Sequence, residues 1–186
     1  MTRLSATIAA IDAANDADPE RSEGTPAARL YGARMTGELD RLFPDASDEL
    51  RIAARGQHIE RWTSPRSSYP EGKEGYLTWR RDLATFHARR LGQIMADNGY
   101  DSDAIAQVGR MVRKEGLKRD PMVQSLEDVI CFTFLRWYFH PFAAGRDPDG
   151  LLKIVQKTAR KMSDAARARA LTEFDLPEPF AAAFRA

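Results

Sequence analysis

VQSLEDVICFTFLRWYFHPF, residues 123–142, is the stretch on which the fold class turns. Its second half is rich in β-branched and aromatic residues, which favour strands. Yet it runs for about 20 residues with no turn signal, longer than a strand usually lasts. The stretch therefore reads as a buried helix, ended by Pro141 and by the Gly145 to Gly150 segment with its Asp and Pro residues. That reading removes the one candidate for a long central strand and makes the chain all-α.

The flanking sequence agrees. Leu4, Ile8 and Ile11 recur at helical spacing over residues 3–14, and the Asp, Pro, Ser and Gly of residues 15–26 make a polar loop. Residues 27–43 carry the next apolar stripe, between Pro26 and Pro44. Ser47, with Asp48 and Glu49 behind it, caps a third helix expected to run to Trp62, with His58 in its last turn. TSPRSSYPEGKE, residues 63–74, reads as a loop. A long helix over 75–98 contains His87, and residues 102–115 form a shorter one stopped by Gly116. Downstream, residues 151–161, 163–171 and 179–185 are helical, which gives about seven to nine helices. No hairpin signal and no internal repeat are evident.

Length and composition point to one helical domain spanning residues 1–186. Apolar residues make up 43% and charged residues 30% of the chain, the balance of a globular protein. A formal net charge of +1 provides no global pull toward nucleic acid or anionic membrane, so an anion site has to be local. Cys131 is the only cysteine, which excludes an internal disulfide and fits a reducing, cytoplasmic setting. The apolar run near the N-terminus is broken by Asp12 and Asp16, and no segment approaches a membrane span. Trp62, Trp79 and Trp137 read as core or pocket-wall residues; their spacing makes no platform for bases, which disfavours nucleic acid as a partner. GKEG at residues 72–75 lacks the spacing of a phosphate-binding glycine loop.

The chemistry concentrates in His58, His87 and the pair Glu127-Asp128, which sit on three separate expected helices. A carboxylate turned inward needs a metal, a protonated histidine or an arginine beside it. Two imidazoles and a carboxylate suit manganese, iron or zinc, or serve as acid and base with no metal at all. Asp128 is the better placed of the two acids; Cys131, three residues on, reads as a small packing residue. His140, beside Pro141 at a helix end, is less well placed.

The phrases AARGQHIERW, PRSSYP, GYLTWR, FHARR and LEDVICFTFL closely resemble a family catalogued as domain of unknown function 4202, over about residues 6–171, which leaves 172–186 as a terminal helical extension. The order of elements more distantly resembles the HD-type phosphohydrolases, all-helical metal-dependent enzymes that hydrolyse phosphate esters. That second resemblance implies HD-like central helices, with LRIAARGQHIERW, the long segment from FHARR and SLEDVICFTFL in the places of the family's His-Asp helix, its following helices and its distal aspartate.

Departures from the HD pattern define the functional expectation. Ile59 follows His58 where the metal-bridging aspartate of the family stands, Arg34 occupies a helix without histidine, and Lys114 lies near another expected histidine. Fixed cations thus stand in for metal charge. Arg34, Arg61, Arg66, Arg80, Arg81 and Lys114 are the candidates to bind a small anionic or phosphorylated ligand, since arginine grips phosphate through two parallel N–H donors. Arg61 lies three residues after His58, on the same expected helical face, and Tyr69 and Tyr76 are available to cover an aromatic ligand. The expectation is a phosphohydrolase or binder of a phosphorylated small molecule or nucleotide, using His58, His87, Asp128 and Glu127. Its alternative is an inactive HD-like module that binds an anion or a protein partner.

Overall fold

Thr2 opens the first helix by accepting a hydrogen bond from the Ser5 amide at 3.1 Å. This satisfies one of the amides that a helix start leaves without an internal partner. The computed structural model describes residues 2–185, which divide into two compact units, the first ending at Glu115 and the second beginning at Gly116. The chain is all-α, with ten α-helices among the described residues and one two-residue hairpin. None of these helices is long and apolar enough to cross a membrane.

The first unit contains α1 (Arg3–Asn15), α2 (Ala27–Leu42), α3 (Asp48–Arg55), α4 (Gly72–Asp97) and α5 (Ser102–Arg113). Between α1 and α2 the expected polar loop includes a small antiparallel pair, β1 (Arg21–Ser22) with β2 (Thr25–Pro26). Its turn is Glu23-Gly24, both with positive φ, the geometry that suits tight hairpins but without the usual Asn-Gly signal. Pro26 stands at the N-cap of α2 and supplies no side-chain bond; the carboxylate of Asp18 accepts from the Ala28 amide at 2.8 Å instead. Ile11, Met35, Leu39, Ile52, Ile59, Leu91, Met95 and Met111 are fully buried. Each such side chain contributes roughly 1.5–3 kcal/mol on leaving water.

α3 is shorter than its sequence led us to expect. The Ser47 cap is present, accepting from Leu50, but the helix stops at Arg55 with Gly56 as its C-cap. A Cβ on Gly56 would lie 2.3 Å from Cδ2 of Leu91, so the missing side chain is what lets α3 meet α4 here. Beyond it Glu60 turns left-handed, with its amide held by Asn15 Oδ1 at 3.0 Å and its carboxylate by Arg90 at 2.9 Å. His58 therefore sits in a turn, followed by short 3-10 turns at Arg61–Thr63 and Arg66–Ser68.

The second unit contains α6 (Pro121–Thr133), a π-helical turn at Phe134–Tyr138, α7 (Phe139–Ala143), α8 (Pro148–Lys161), α9 (Asp164–Glu173) and α10 (Phe180–Arg185). The stretch 123–142 is helical throughout, as expected, but not uniformly so. Pro141 has no amide and its ring would strike the carbonyl four residues earlier, and the wider π turn lies where that carbonyl stands. Trp137, within this turn, is 43% exposed, against the expectation of a core or pocket-wall position. Phe132, Leu126, Val129, Met162 and Ala170 form the buried centre of this unit, and Cys131 packs beside them.

Candidate functional site

His87 lies in the middle of α4 and is only 3% exposed. Arg80 precedes it by two helical turns on the same face, so one helix presents both side chains to a single cavity. The other walls are the turn after α3, with Gln57, His58 and Arg61, and the end of α5, with Arg113, Lys114 and Glu115. The cavity measures about 330 Å³. That is the size of a small-molecule site.

The two histidines come together: their ring centroids are 6.3 Å apart. His58 is stacked on Tyr31 at 3.8 Å, with the ring planes 17° from parallel, and the Tyr31 hydroxyl is 3.2 Å from Oε1 of Gln57. Nε2 of His58 lies 3.1 Å from Nη1 of Arg61. The Arg61 guanidinium sits 4.9 Å from the ring centre of Trp79, whose indole N–H donates to the Ser64 carbonyl at 2.9 Å. Arg61 is thus fixed between a ring nitrogen and an aromatic face. Nε2 of His87 is buried and has no hydrogen-bond partner.

Cations dominate the field in this cavity. Burial, and then the charges of Arg61 and Arg80, hold the His87 imidazole down at about 3. His58 is likewise held well below the usual histidine range, by burial first and then by Arg61, His87, Arg80 and Lys114. Both imidazoles are consequently neutral at physiological pH. Arg61 is itself drawn below its ordinary value, by burial and by its neighbour Arg80. Neither Arg61 nor Arg80 forms an ion pair among the described residues; Arg80 reaches only the Tyr76 hydroxyl, at 3.3 Å, and the ring of Tyr76. Arg113 is paired with Glu115 at 2.6 Å, a bond that keeps the Glu115 carboxyl ionised to lower pH than usual. Lys114 caps α5 in the left-handed region, at φ 60°. Arg81 also borders the cavity, largely exposed and 3.7 Å from Asp82.

Several expected site residues have other partners. Asp128 belongs to the second unit, where Oδ1 accepts from the Ser163 amide at 2.8 Å and from Gln124 at 2.9 Å, while Oδ2 accepts from the Ser163 hydroxyl at 2.6 Å. Ser163 is the N-cap of α9, so this aspartate positions a helix start. Burial raises its carboxyl above the usual range, and the bonds from Ser163 and Gln124 oppose the rise. Glu127 is buried in the same unit, 3.7 Å from Lys161. Arg34 pairs with Glu23 at 2.6 Å, beside the small hairpin. Arg66 donates to the carbonyls of Tyr69 and Gly72 and so closes its own loop. His140 is exposed on α7.

The metal implied by the HD resemblance does not fit the residues present. Among the described residues no group of three or more His, Cys, Asp and Glu side chains is placed to hold a metal ion. In the first unit His58 and His87 meet with Arg61 on Nε2 of His58, and in the second unit the oxygens of Asp128 are taken by Ser163 and Gln124. The donor set that does converge is made of guanidinium and ammonium groups around neutral imidazoles, which attracts an anion and repels a cation. Tyr31, Gln57 and Arg113 join the site without having been anticipated. Only Arg113, one residue before Lys114 and thus at the same helix end, carried a signal in the sequence.

No curated protein and no solved structure matches the chain. One family model does match, over residues 5–183, nearly the whole length. The chain belongs to the family described as a domain of unknown function, DUF4202.

Proposed function

We propose that this chain binds a phosphorylated small molecule, nucleotides included, in the cavity walled by α4, the end of α5 and the turn after α3. The observation that carries this reading is the pair Arg61 and Arg80. Neither guanidinium group forms an ion pair among the described residues; Arg61 is partly buried, Arg80 is exposed, and both border the same open-mouthed cavity. A partly buried arginine beside a second guanidinium, with the opposing charge of Glu20 beyond ion-pair distance, is costly unless an anion completes it. Lys114 adds a third cation at the same wall. The distant resemblance of the element order to HD-type hydrolases is in keeping with a phosphate ligand, with Arg61, Arg80 and Lys114 supplying positive charge beside His58 and His87.

Hydrolysis of the bound phosphate ester is a second reading, favoured by the two imidazoles that meet at the cavity, 6.3 Å apart. Calorimetric titration with inorganic phosphate and a series of nucleotides and sugar phosphates tests the binding. Measurable affinity that falls at least about tenfold in Arg61→Ala and Arg80→Ala, with the helical circular dichroism retained, is the expected result. Unchanged affinity in both variants would discard the site. Release of phosphate that stops in His87→Gln would add turnover to binding.

A further inference from the structure

The form of the anion follows from the donors around it. Arg61, Arg80 and His87 approach from three positions, the first from the turn after α3 and the others two helical turns apart on α4. A carboxylate or a phosphodiester has two terminal oxygens to offer. A phosphate monoester has three, and near neutral pH it carries close to two negative charges.

His87 sets a further condition. The charged or titratable groups of the cavity around its imidazole are His58 and Arg61 from the turn after α3, Arg80 and Arg81 from its own helix, and Arg113, Lys114 and Glu115 from the end of α5. All but one are cationic or neutral. The exception, Glu115, is engaged by Arg113. Within the wall, therefore, nothing stabilises a proton on His87, and its Nε2 is buried with no partner. A dianion entering the cavity reverses this field: it offsets the two guanidinium charges and supplies the acceptor that Nε2 lacks.

Resting on the anion-binding reading above, we infer that the cavity takes up the dianion of a terminal phosphate together with one proton from solvent, and that the imidazole of His87 receives this proton. Protonation leaves N–H groups on both ring nitrogens, whichever tautomer preceded it, so Nε2 becomes a charged donor to a phosphate oxygen. No bond of the ligand breaks. His58 does not compete for the proton, because its Nε2 accepts from Arg61.

The test is calorimetry of sulfate binding to the full chain, in pairs of buffers that differ in ionisation enthalpy, between about pH 5.5 and 7.5, where histidine titrates. Sulfate is the probe because it stays a dianion throughout, whereas phosphate would add its own titration. The expected result is proton uptake rising toward one per sulfate as pH falls, with affinity strengthening by up to about tenfold per pH unit. In His87→Gln sulfate still binds, with no uptake and no pH dependence, while Glu115→Gln keeps the uptake. The histidine ring resonances of wild-type protein provide a second readout: His87 moves to its protonated position on sulfate addition and His58 does not. Sulfate binding without uptake would overturn this inference and leave anion binding standing. Uptake that survives in His87→Gln, or a His58 resonance that shifts in place of His87, would also overturn it. Absence of any sulfate or phosphate binding would overturn both readings.

Discussion

The Arg61 guanidinium donates to Nε2 of His58 at 3.1 Å, and this bond fixes the tautomer of one partner and the position of the other. Arginine has N–H donors and no acceptor, so the imidazole nitrogen has to be the acceptor and the His58 proton resides on Nδ1. A neutral histidine holds the guanidinium in place without cancelling its charge. A carboxylate at the same position would hold it as firmly and neutralise it.

That distinction is testable by substitution. His58→Gln keeps a neutral acceptor and is expected to retain phosphate affinity within about threefold; His58→Glu forms an ion pair with Arg61 and is expected to weaken it by about tenfold or more, near 1.4 kcal/mol. Calorimetry with inorganic phosphate compares the two. Equal affinities would mean that the charge of Arg61 does not act on the anion.

Acid should destabilise the fold through His87. Its folded value of about 3 lies below that of an unfolded histidine, near 6.5. Above the unfolded value both states are neutral and the group has no effect. As pH falls below it, the unfolded chain gains a proton that the folded one refuses, and stability declines by about 1.4 kcal/mol per pH unit until the folded imidazole also titrates. His58, shifted in the same direction, adds to the decline. Asp128, shifted upward, works in the opposite sense but equally in wild type and variant. Urea denaturation of wild type and His87→Gln between about pH 7 and 4 measures the difference. Parallel pH profiles would show that His87 is not held neutral.

Asp128→Ala removes the acceptor of both the amide and the hydroxyl of Ser163. The expected cost is about 2 kcal/mol, because the α9 cap loses its support and a partly buried amide its partner. Phosphate affinity is expected to remain unchanged. A folded variant that no longer binds phosphate would return this aspartate to the site.

Gly56→Ala would bring a Cβ within 2.3 Å of Cδ2 of Leu91, a side chain that is fully buried. Overpacking of this kind costs about 1–3 kcal/mol. The double variant Gly56→Ala with Leu91→Ala should show a smaller loss than the two single losses combined, since each change makes room for the other. Strict additivity in urea denaturation would indicate that the contact is not tight.

The all-α class was readable because its signals are local: apolar periodicity, Ser47 as a cap, and a run at 123–142 too long for a strand. The end of α3 was not, because Gly56 is explained by Leu91, far along the chain, and Glu60 by Asn15 and Arg90. The same contrast holds at the site. Arg80 and His87 share a face by helical spacing, and Arg61 follows His58 closely, so the cationic character could be read. Tyr31 stacks on His58 from another helix without any mark in the sequence. Asp128 was conspicuous as an acid in an apolar run, but its reason for being there is Ser163, an unremarkable helix cap some distance downstream.

Lys114 ends α5 in a backbone conformation that glycine adopts freely and that costs a side-chain-bearing residue roughly 1 kcal/mol. Lys114→Gly relieves this backbone cost and removes the side chain's own interactions together with a cavity-wall cation, so phosphate binding should weaken, which calorimetry reads, while melting reports the balance of the other two. On the anion-binding reading this position sets affinity against backbone preference: a cation stands at the cavity wall where glycine would be less strained. Arginine at the same position would keep the charge and the backbone cost alike, and glycine would give up both.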